Sequence, residues 1–216
     1  MNLDFFHFLS AGGIFFSTVF ALTTLRYQSL ISWYRFSVVF LAVFTLTIGI
    51  ERGLESFYIA AGVIFVLKGL LIPGILFSVA QKSGIASRLQ FFLRPASHYF
   101  VIVLTLAGLF WVFNTIPFFG TFQNGYTVYL SLIITFLGFL MMITHRDILS
   151  QIIGFLILEN GITLFSTATL GSAPLILEIG ISFVVILVTI LMATLTKSVQ
   201  ELYGTSDTTC LSDLME

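Results

Sequence analysis

Apolar stretches of about 20 residues follow one another along most of the chain and are separated by short polar segments. About 20 apolar residues is the length at which an α-helix crosses the hydrocarbon core of a bilayer. Hydrophobic residues make up 58% of the 216 residues and charged residues only 9%. A water-soluble domain of this size needs more charges to cover its surface. The sequence therefore predicts an all-α fold, a polytopic bundle of transmembrane helices.

The apolar stretches predict about seven transmembrane helices. We expect them at about residues 5–25, 30–50, 57–80, 98–118, 127–144, 148–168 and 175–196. The helix count is least defined at residues 120–126, where the turn GTFQNGY joins two apolar runs without a charge. We divide the chain into an N-terminal four-helix region (1–126), a three-helix unit (127–196) and a polar tail (197–216).

Basic residues predict the orientation, because short cytoplasmic loops are enriched in Lys and Arg. If the N-terminus is outside, only Arg52 falls on the outer side. The bases on the cytoplasmic side are then Arg26, Arg35, Lys82, Arg88, Arg94, Arg146 and Lys197. This distribution predicts a multi-pass protein of the inner (plasma) membrane, with the N-terminus outside and the tail in the cytoplasm.

Two polar segments are each compatible with two structures. Residues 81–97 mix bases with apolar side chains, which is typical of a short amphipathic segment at the membrane surface or of a solvated connector. The tail has one base and four acids. Its composition is typical of a disordered segment, although it is long enough to contact a neighbouring subunit.

Several classes of function are disfavoured by composition. Nine Lys and Arg against ten Asp and Glu give a net charge of −1, so we expect no nucleic-acid partner. The single cysteine, Cys210, excludes an intrachain disulfide and argues against a cysteine-ligated metal. The motifs of soluble nucleotide-binding and hydrolytic enzymes are absent from the sequence. We therefore predict no catalytic residues, no cofactor and no metal in this chain.

Three ionisable residues lie inside predicted helices: Lys68, Glu159 and Glu178. A charge at this depth costs about 2.5 to 3.5 kcal/mol. Protonating a carboxyl at pH 7 costs about 3.7 kcal/mol, so the charged and neutral forms of Glu159, near the bilayer centre, are nearly balanced. A proton relay requires such a balance. Glu178 lies nearer the outer end of its helix, where capping the helix or meeting headgroups is an alternative role.

Polar residues around the two acids have helical spacing. Thr163 follows Glu159 by four residues, and Ser182 follows Glu178 by four. These positions predict two polar stripes on neighbouring helices that line a shared interior. The alternative for the hydroxyls is that they only join helices, as Ser and Thr commonly do in membranes.

Pro73 follows Lys68 by five residues in the third predicted helix. Its ring removes a backbone hydrogen bond of the preceding turn. We therefore expect a kink or a locally opened helix next to the buried cation.

The runs RDILSQIIGFLILENG (146–161) and LEIGI (177–181), with KGLLIP (68–73) upstream, resemble the hydrogenase-4 membrane component E family. Over these helices that family is related to the K subunit of NADH:quinone oxidoreductase and to the C subunit of multisubunit cation/proton antiporters. The resemblance makes residues 127–196 a K-subunit-like unit. Glu159 and Asn160 occupy the E-N-G positions, and Glu178 occupies the acid of E-I-G-I.

The resemblance implies a hetero-oligomeric membrane complex and a non-redox subunit within it. Its expected partners are antiporter-like membrane subunits, a hydrogenase-like or complex I-like peripheral arm, and the lipid bilayer. The implied function is proton or sodium translocation coupled to redox chemistry. The implied ion path contains Glu159, Glu178, Lys68, Asn160, Thr163 and Ser182.

Two alternatives remain open at the level of sequence. The chain is also compatible with an assembly subunit that packs between antiporter-like subunits and pairs its charges across helix contacts. It is compatible with a free-standing ion transporter whose site lies at the membrane midplane.

Overall fold

A computed structural model describes residues 3–82, 95–115 and 125–169, together with single helical positions between 180 and 198. The helices are α1 (Leu3–Thr23), α2 (Tyr27–Arg52), α3 (Glu55–Val63), a π-helix (Ile64–Leu71), α4 (Ile72–Lys82), α5 (Pro95–Thr115), α6 (Gly125–Thr144) and α7 (Ile148–Thr169). The segments α3, π-helix and α4 form one continuous helical run. The turn at 120–126 and the tail at 197–216 lie largely outside the described residues, as do most of the 81–97 segment and of the predicted helix 175–196.

In the part of the chain that the structure describes, five helical runs are long and apolar enough to cross a membrane: Phe5–Thr23, Tyr27–Arg52, Glu55–Ser78, Gly125–Thr144 and Ile148–Thr169. The helix at Tyr99–Thr115 is apolar but shorter. These runs confirm an all-helical protein with the composition of a multi-pass membrane protein. The count of seven helices and the orientation of the termini remain predictions.

Arg35, which we counted with the bases on the cytoplasmic side, lies inside a helix, as the predicted helix 30–50 already implied. Helix α2 begins at Tyr27, three residues before the predicted boundary, so Arg35 lies eight residues inside it. The polar residues of this first part of α2 are compatible with a helix because its inward side is apolar, with Leu30, Ile31 and Tyr34 buried.

Helix α2 lies at the centre of the described bundle. It packs against α1 on one side, against α3 and the π-helix on another, and against α7 on a third. The helix ends at Gly53, whose φ of 64° is in the left-handed region that glycine adopts without strain. The N–H of Gly53 donates to the carbonyl of Gly49 at 2.9 Å, and the chain then turns directly into α3.

Helices α6 and α7 approach each other closely along a line of glycines. A Cβ added at Gly138 of α6 would lie 2.7 Å from the Cα of Leu158 in α7. A Cβ at Gly154 would lie 3.0 Å from the carbonyl oxygen of Gly138, and one at Gly161 would lie 2.6 Å from the backbone nitrogen of Thr135. Close backbone approach at small residues is how helices associate in membranes, where lipid supplies no hydrophobic driving force between them. This contact fixes α7, which carries Glu159.

We predict that Gly138→Ala destabilises the protein by about 1 to 3 kcal/mol, because the new methyl group collides with the backbone of α7 rather than with a movable side chain. The measurement is equilibrium unfolding of the purified protein in mixed detergent micelles. Gly12→Ala in α1 is the control, since a Cβ there meets nothing within 4 Å. The control should be neutral or slightly stabilising. Equal effects of the two substitutions would contradict the close α6–α7 contact.

Candidate functional site: a buried ion pair at the centre of the bundle

Lys68 and Glu159 form an ion pair in the interior. The Nζ of Lys68 lies 2.5 Å from Oε1 of Glu159, and the two side chains are 0% and 5% exposed. Lys68 is near the middle of the helical run 55–82, and Glu159 is near the middle of α7. Two charges that each cost several kcal/mol to place in a membrane thus neutralise each other across helices.

Thr163 adds a hydroxyl to the ion pair. Its hydroxyl donates to Oε1 of Glu159 at 3.0 Å and lies 3.3 Å from Nζ of Lys68, from which it accepts. Thr163 is one helical turn after Glu159, so the spacing noted in the sequence places both groups on the same face of α7. Other hydroxyls of α7 act differently, since Thr167 donates to the backbone carbonyl of Thr163 at 2.8 Å. Thr163 of the predicted stripe therefore bonds to the carboxylate, whereas Thr167, which was not in that stripe, bonds only to its own helix.

Helix α2 contributes two polar residues that the sequence did not point to. Asn160 donates through Nδ2 to the hydroxyl of Ser37 at 3.2 Å, which joins α7 to α2 beside the ion pair. Tyr34, one turn before Ser37, is fully buried and close enough to Glu159 for the two to interact electrostatically. Ser and Tyr are frequent in apolar helices, so their presence alone gave no signal.

Some buried polar atoms around the pair have no hydrogen-bond partner among the described residues. They are the hydroxyl of Tyr34, Oε2 of Glu159 and Oδ1 of Asn160. Buried polar groups are nearly always hydrogen-bonded, and each exception requires an explanation. One hydroxyl donor and two acceptor oxygens without partners, on the ion pair itself and on residues beside it, are suited to binding water or passing a proton.

Lys68 lies within the π-helix Ile64–Leu71, which ends two residues before Pro73. The N–H of Ile72 donates to the carbonyl of Leu67, five residues back instead of four. Proline cannot donate to the preceding turn, and the wider π spacing absorbs this interruption. The expected local opening beside the buried cation is present, and it takes the form of a π-helix. Such segments occur frequently at functional sites.

Helix α7 begins with a buried acid that the sequence analysis left in a loop. Asp147 accepts a hydrogen bond from the backbone N–H of Ser150 at 2.8 Å. An aspartate three residues before Ser150 is the pattern of a helix N-cap, which could have been recognised from the sequence. Asp147 therefore fixes the start of the helix that carries Glu159.

The remaining predicted ion-path residues, Glu178 and Ser182, lie outside the described residues. Of the six predicted positions, the structure brings together Lys68, Glu159, Thr163 and Asn160. Among the described residues, no group of three or more His, Cys, Asp and Glu side chains is arranged to hold a metal ion.

Comparison with known proteins gives one partial similarity. The chain is 36% identical over 78 residues to hydrogenase-4 component E of Escherichia coli K12. The same identity over the same length is found with the proteins of that name from Escherichia coli O157:H7 and Shigella flexneri. The matched region covers 36% of this chain and 36% of each relative. No protein-family profile and no solved structure matches the chain.

We predict that Thr163→Val destabilises the protein by about 1 kcal/mol, because it removes the hydroxyl that bonds to both charges while keeping the shape of the side chain. Thr163→Ser should retain most of the wild-type stability. Thr167→Val is the matched control in the same helix, since that hydroxyl contacts only a backbone carbonyl. Equilibrium unfolding in mixed micelles measures all three variants. Equal losses for Thr163→Val and Thr167→Val would contradict a role of Thr163 in the ion pair.

Proposed function

We propose that the chain is a non-redox membrane subunit of a hydrogenase-type or respiratory-type multisubunit complex, and that it takes part in proton or sodium translocation. The observation that carries the proposal is the Lys68–Glu159 pair at the centre of an apolar bundle. The partial similarity to hydrogenase-4 component E supports the type of complex. The proposed partners are antiporter-like membrane subunits and a peripheral oxidoreductase arm, in an inner (plasma) membrane.

The two charges belong to parts of the bundle that differ in how firmly they are held. Glu159 is on α7, which is fixed to α6 by the glycine contacts and capped by Asp147. Lys68 is on the π-helix, and the backbone of that segment packs on α2 rather than closely on α7. The two long side chains therefore join helices whose backbones have few close contacts. A movement of the π-helical segment relative to α7 would lengthen the ion pair without disturbing the α6–α7 unit.

Separation of the pair changes which form of Glu159 is favoured. With Lys68 beside it, the carboxylate is stabilised by the cation and by the Thr163 hydroxyl. Without Lys68, an ionised carboxyl near the bilayer centre loses its counter-charge and binds a proton. When Lys68 returns, the proton is released. In this proposal Glu159 carries the proton, Lys68 controls its binding, and Asn160 and Thr163 position the carboxyl. Glu178 and Ser182 are proposed as the outward continuation of the path.

A single substitution at either charge is a poor test, because it leaves the other charge buried and unpaired. Such a loss costs about 3 to 5 kcal/mol, whereas replacing both partners by neutral groups is often tolerated. We therefore predict that Glu159→Gln lowers the stability of the subunit by about 3 kcal/mol or more, and that Lys68→Met/Glu159→Gln restores most of it. Unfolding in mixed micelles measures both. Equal instability of the single and double variants would contradict the ion pair.

The double variant then tests the function. We predict that inverted membrane vesicles containing the intact complex with Lys68→Met/Glu159→Gln lose proton uptake more than tenfold, while redox turnover and the amount of assembled complex stay at wild-type levels. Glu55→Gln, at the exposed start of α3, is the matched acid control and should behave as wild type. Unchanged uptake in the double variant would mean that the pair is structural.

A second candidate function is assembly, and the same experiment separates it. The ion pair joins the π-helix to α7 and so shapes the surface that neighbouring subunits would contact. If the ion pair served assembly, the double variant would be stable as an isolated subunit but absent from the assembled complex. Loss of assembly with a stable subunit would replace ion translocation by the scaffold function.

A further inference from the structure

Arg35 is an exposed charge at the depth of the buried ion pair. Two residues further along α2, the hydroxyl of Ser37 accepts a hydrogen bond from Asn160 at 3.2 Å. Asn160 follows Glu159 directly, near the middle of α7. At 1.5 Å per residue, Arg35 is about 3 Å from the level of Ser37 and about 12 Å inside the end at which α2 begins. Its depth is therefore that of the hydrocarbon core and not that of the lipid headgroups.

Arg35 has no counter-charge in the described part of the chain. No ion pair or hydrogen bond joins its side chain to another described residue. Charges at membrane depth are rare, and they face a protein interior or a water-filled cavity or pair with one another. The stem of an arginine has three methylenes and covers only part of the distance to the start of α2, so the guanidinium does not reach water along the helix. Arg35 therefore needs a counter-charge that the described residues do not supply.

Two more polar residues point outward on the same side of α2. Gln28 is exposed and Ser32 is partly exposed, and with Arg35 they follow i, i+4, i+7, which makes a polar stripe on the helix surface. Outward side chains at a comparable depth on other helices are apolar, as at Phe16 of α1 and Phe136 of α6. Polar side chains in membrane helices are typical of surfaces that contact another helix. The polar stripe therefore indicates a surface that another protein covers.

An apolar groove continues the stripe along α2. Its volume is about 350 Å³, and it begins at Val39, one turn after Arg35. Val39 and Leu46 of α2 form one wall, and Gly62 and Phe65 of the following helical run form the other. Arg35, Val39 and Leu46 follow i, i+4, i+11, so the stripe and the groove lie one after the other on one side of α2. We refer to the stripe and the groove together as the α2 face.

We propose that the α2 face is the contact surface for a transmembrane helix of another subunit, and that this helix carries an Asp or Glu at the level of Arg35. A guanidinium presents parallel N–H donors that match the two oxygens of a carboxylate, which makes arginine the base preferred in ion pairs at interfaces. Apolar side chains of the same helix would fill the groove. The inference rests on the part of the proposed function that makes the chain a subunit of a membrane complex, and it does not depend on ion translocation.

Depth and charge decide against two other occupants. The phosphate of a lipid lies at the headgroup level, whereas Arg35 is about 12 Å inside the end of α2. A second copy of the chain offers no suitable acid among the described residues. Every acid there except Glu159 lies near a helix end, and Glu159 is buried against Lys68.

Removal of the charge should affect the complex and not the isolated chain. We expect Arg35→Gln to lower the amount of assembled complex in the membrane at least about tenfold, because it leaves the carboxylate of the partner buried without a counter-charge. The stability of the isolated subunit in mixed micelles should not fall, since Arg35 has no ion pair or hydrogen bond there to lose. Arg26→Gln, at an exposed base just before α2, is the control and should assemble as wild type. Normal assembly of Arg35→Gln would overturn the proposal, as would an equal loss of stability in the isolated chain.

Photo-cross-linking in intact cells identifies the occupant. Benzoylphenylalanine at Ser32, within the polar stripe, should cross-link to a transmembrane segment of another polypeptide, and that segment should contain an Asp or Glu. Neutralising this acid should lower assembly as Arg35→Gln does, and combining the two neutral substitutions should restore it. A segment without an acid would overturn the proposal. An adduct with phospholipid, with a second copy of the chain or within the chain itself would also overturn it.

The same probe at Phe16 and Phe136 separates this inference from the proposed function. Protein adducts at either of these positions without one at Ser32 would leave a membrane complex in place and overturn the α2 face as its contact surface. The absence of protein adducts at all three positions would overturn the inference and would contradict the proposed function as well.

Discussion

The structure depends on the requirement that charges inside an apolar bundle neutralise each other within the protein. Water is not there to solvate Lys68 or Glu159, and neither side chain is long enough to reach the headgroups easily from the middle of its helix. Their 2.5 Å contact gives each charge a counter-charge inside the protein. It also joins the helical run 55–82 to α7 at the depth where no other described ion pair crosses the bundle. Helix α2 lies at the centre because it packs beside both of these helices. It also contributes Ser37, whose hydroxyl accepts a hydrogen bond from Asn160 beside the ion pair.

The two sides of this ion pair differ in rigidity for identifiable reasons. Glycines at 138, 154 and 161 let the backbones of α6 and α7 touch, and a close backbone contact permits little sliding. On the other side, Pro73 cannot support a regular α-helical turn, and the eight-residue π-helix before it already departs from regular spacing. The sequence therefore combines a fixed acid with a cation on an irregular segment. A pair of two equally fixed charges would be suited only to a structural role.

Much of this architecture could be predicted from the sequence. Hydropathy located the described helices to within a few residues, and it put Lys68 and Glu159 near the middle of their helices, where the structure has them. The i, i+4 spacing predicted that Thr163 lies on the same helix face as Glu159, and its hydroxyl donates to that carboxylate. Hydropathy could not identify Tyr34 and Ser37, because a hydroxyl in an apolar helix has the same sequence signature whether it faces a charge or its own backbone. It could not reveal the Gly138–Leu158 contact either, since that depends on how two helices rotate toward each other. Glu178 and Ser182 stay predictions.

Charge balance means that a proton path through this site would need a second acid near the pair. The Lys68–Glu159 pair is neutral as it stands, and protonating Glu159 beside a charged Lys68 would leave one net positive charge at the centre of the bundle. The free-energy cost of such a charge is about 2.5 to 3.5 kcal/mol or more. It falls if an acid approaches as the proton binds, whether that acid is Glu178 or a carboxylate of an adjoining membrane subunit. A free-standing transporter would have to supply this counter-charge alone, whereas a subunit within a larger membrane arm receives it from the next step of the path. An ion path through this pair therefore needs a second acid, supplied either by Glu178 of this chain or by a neighbouring subunit.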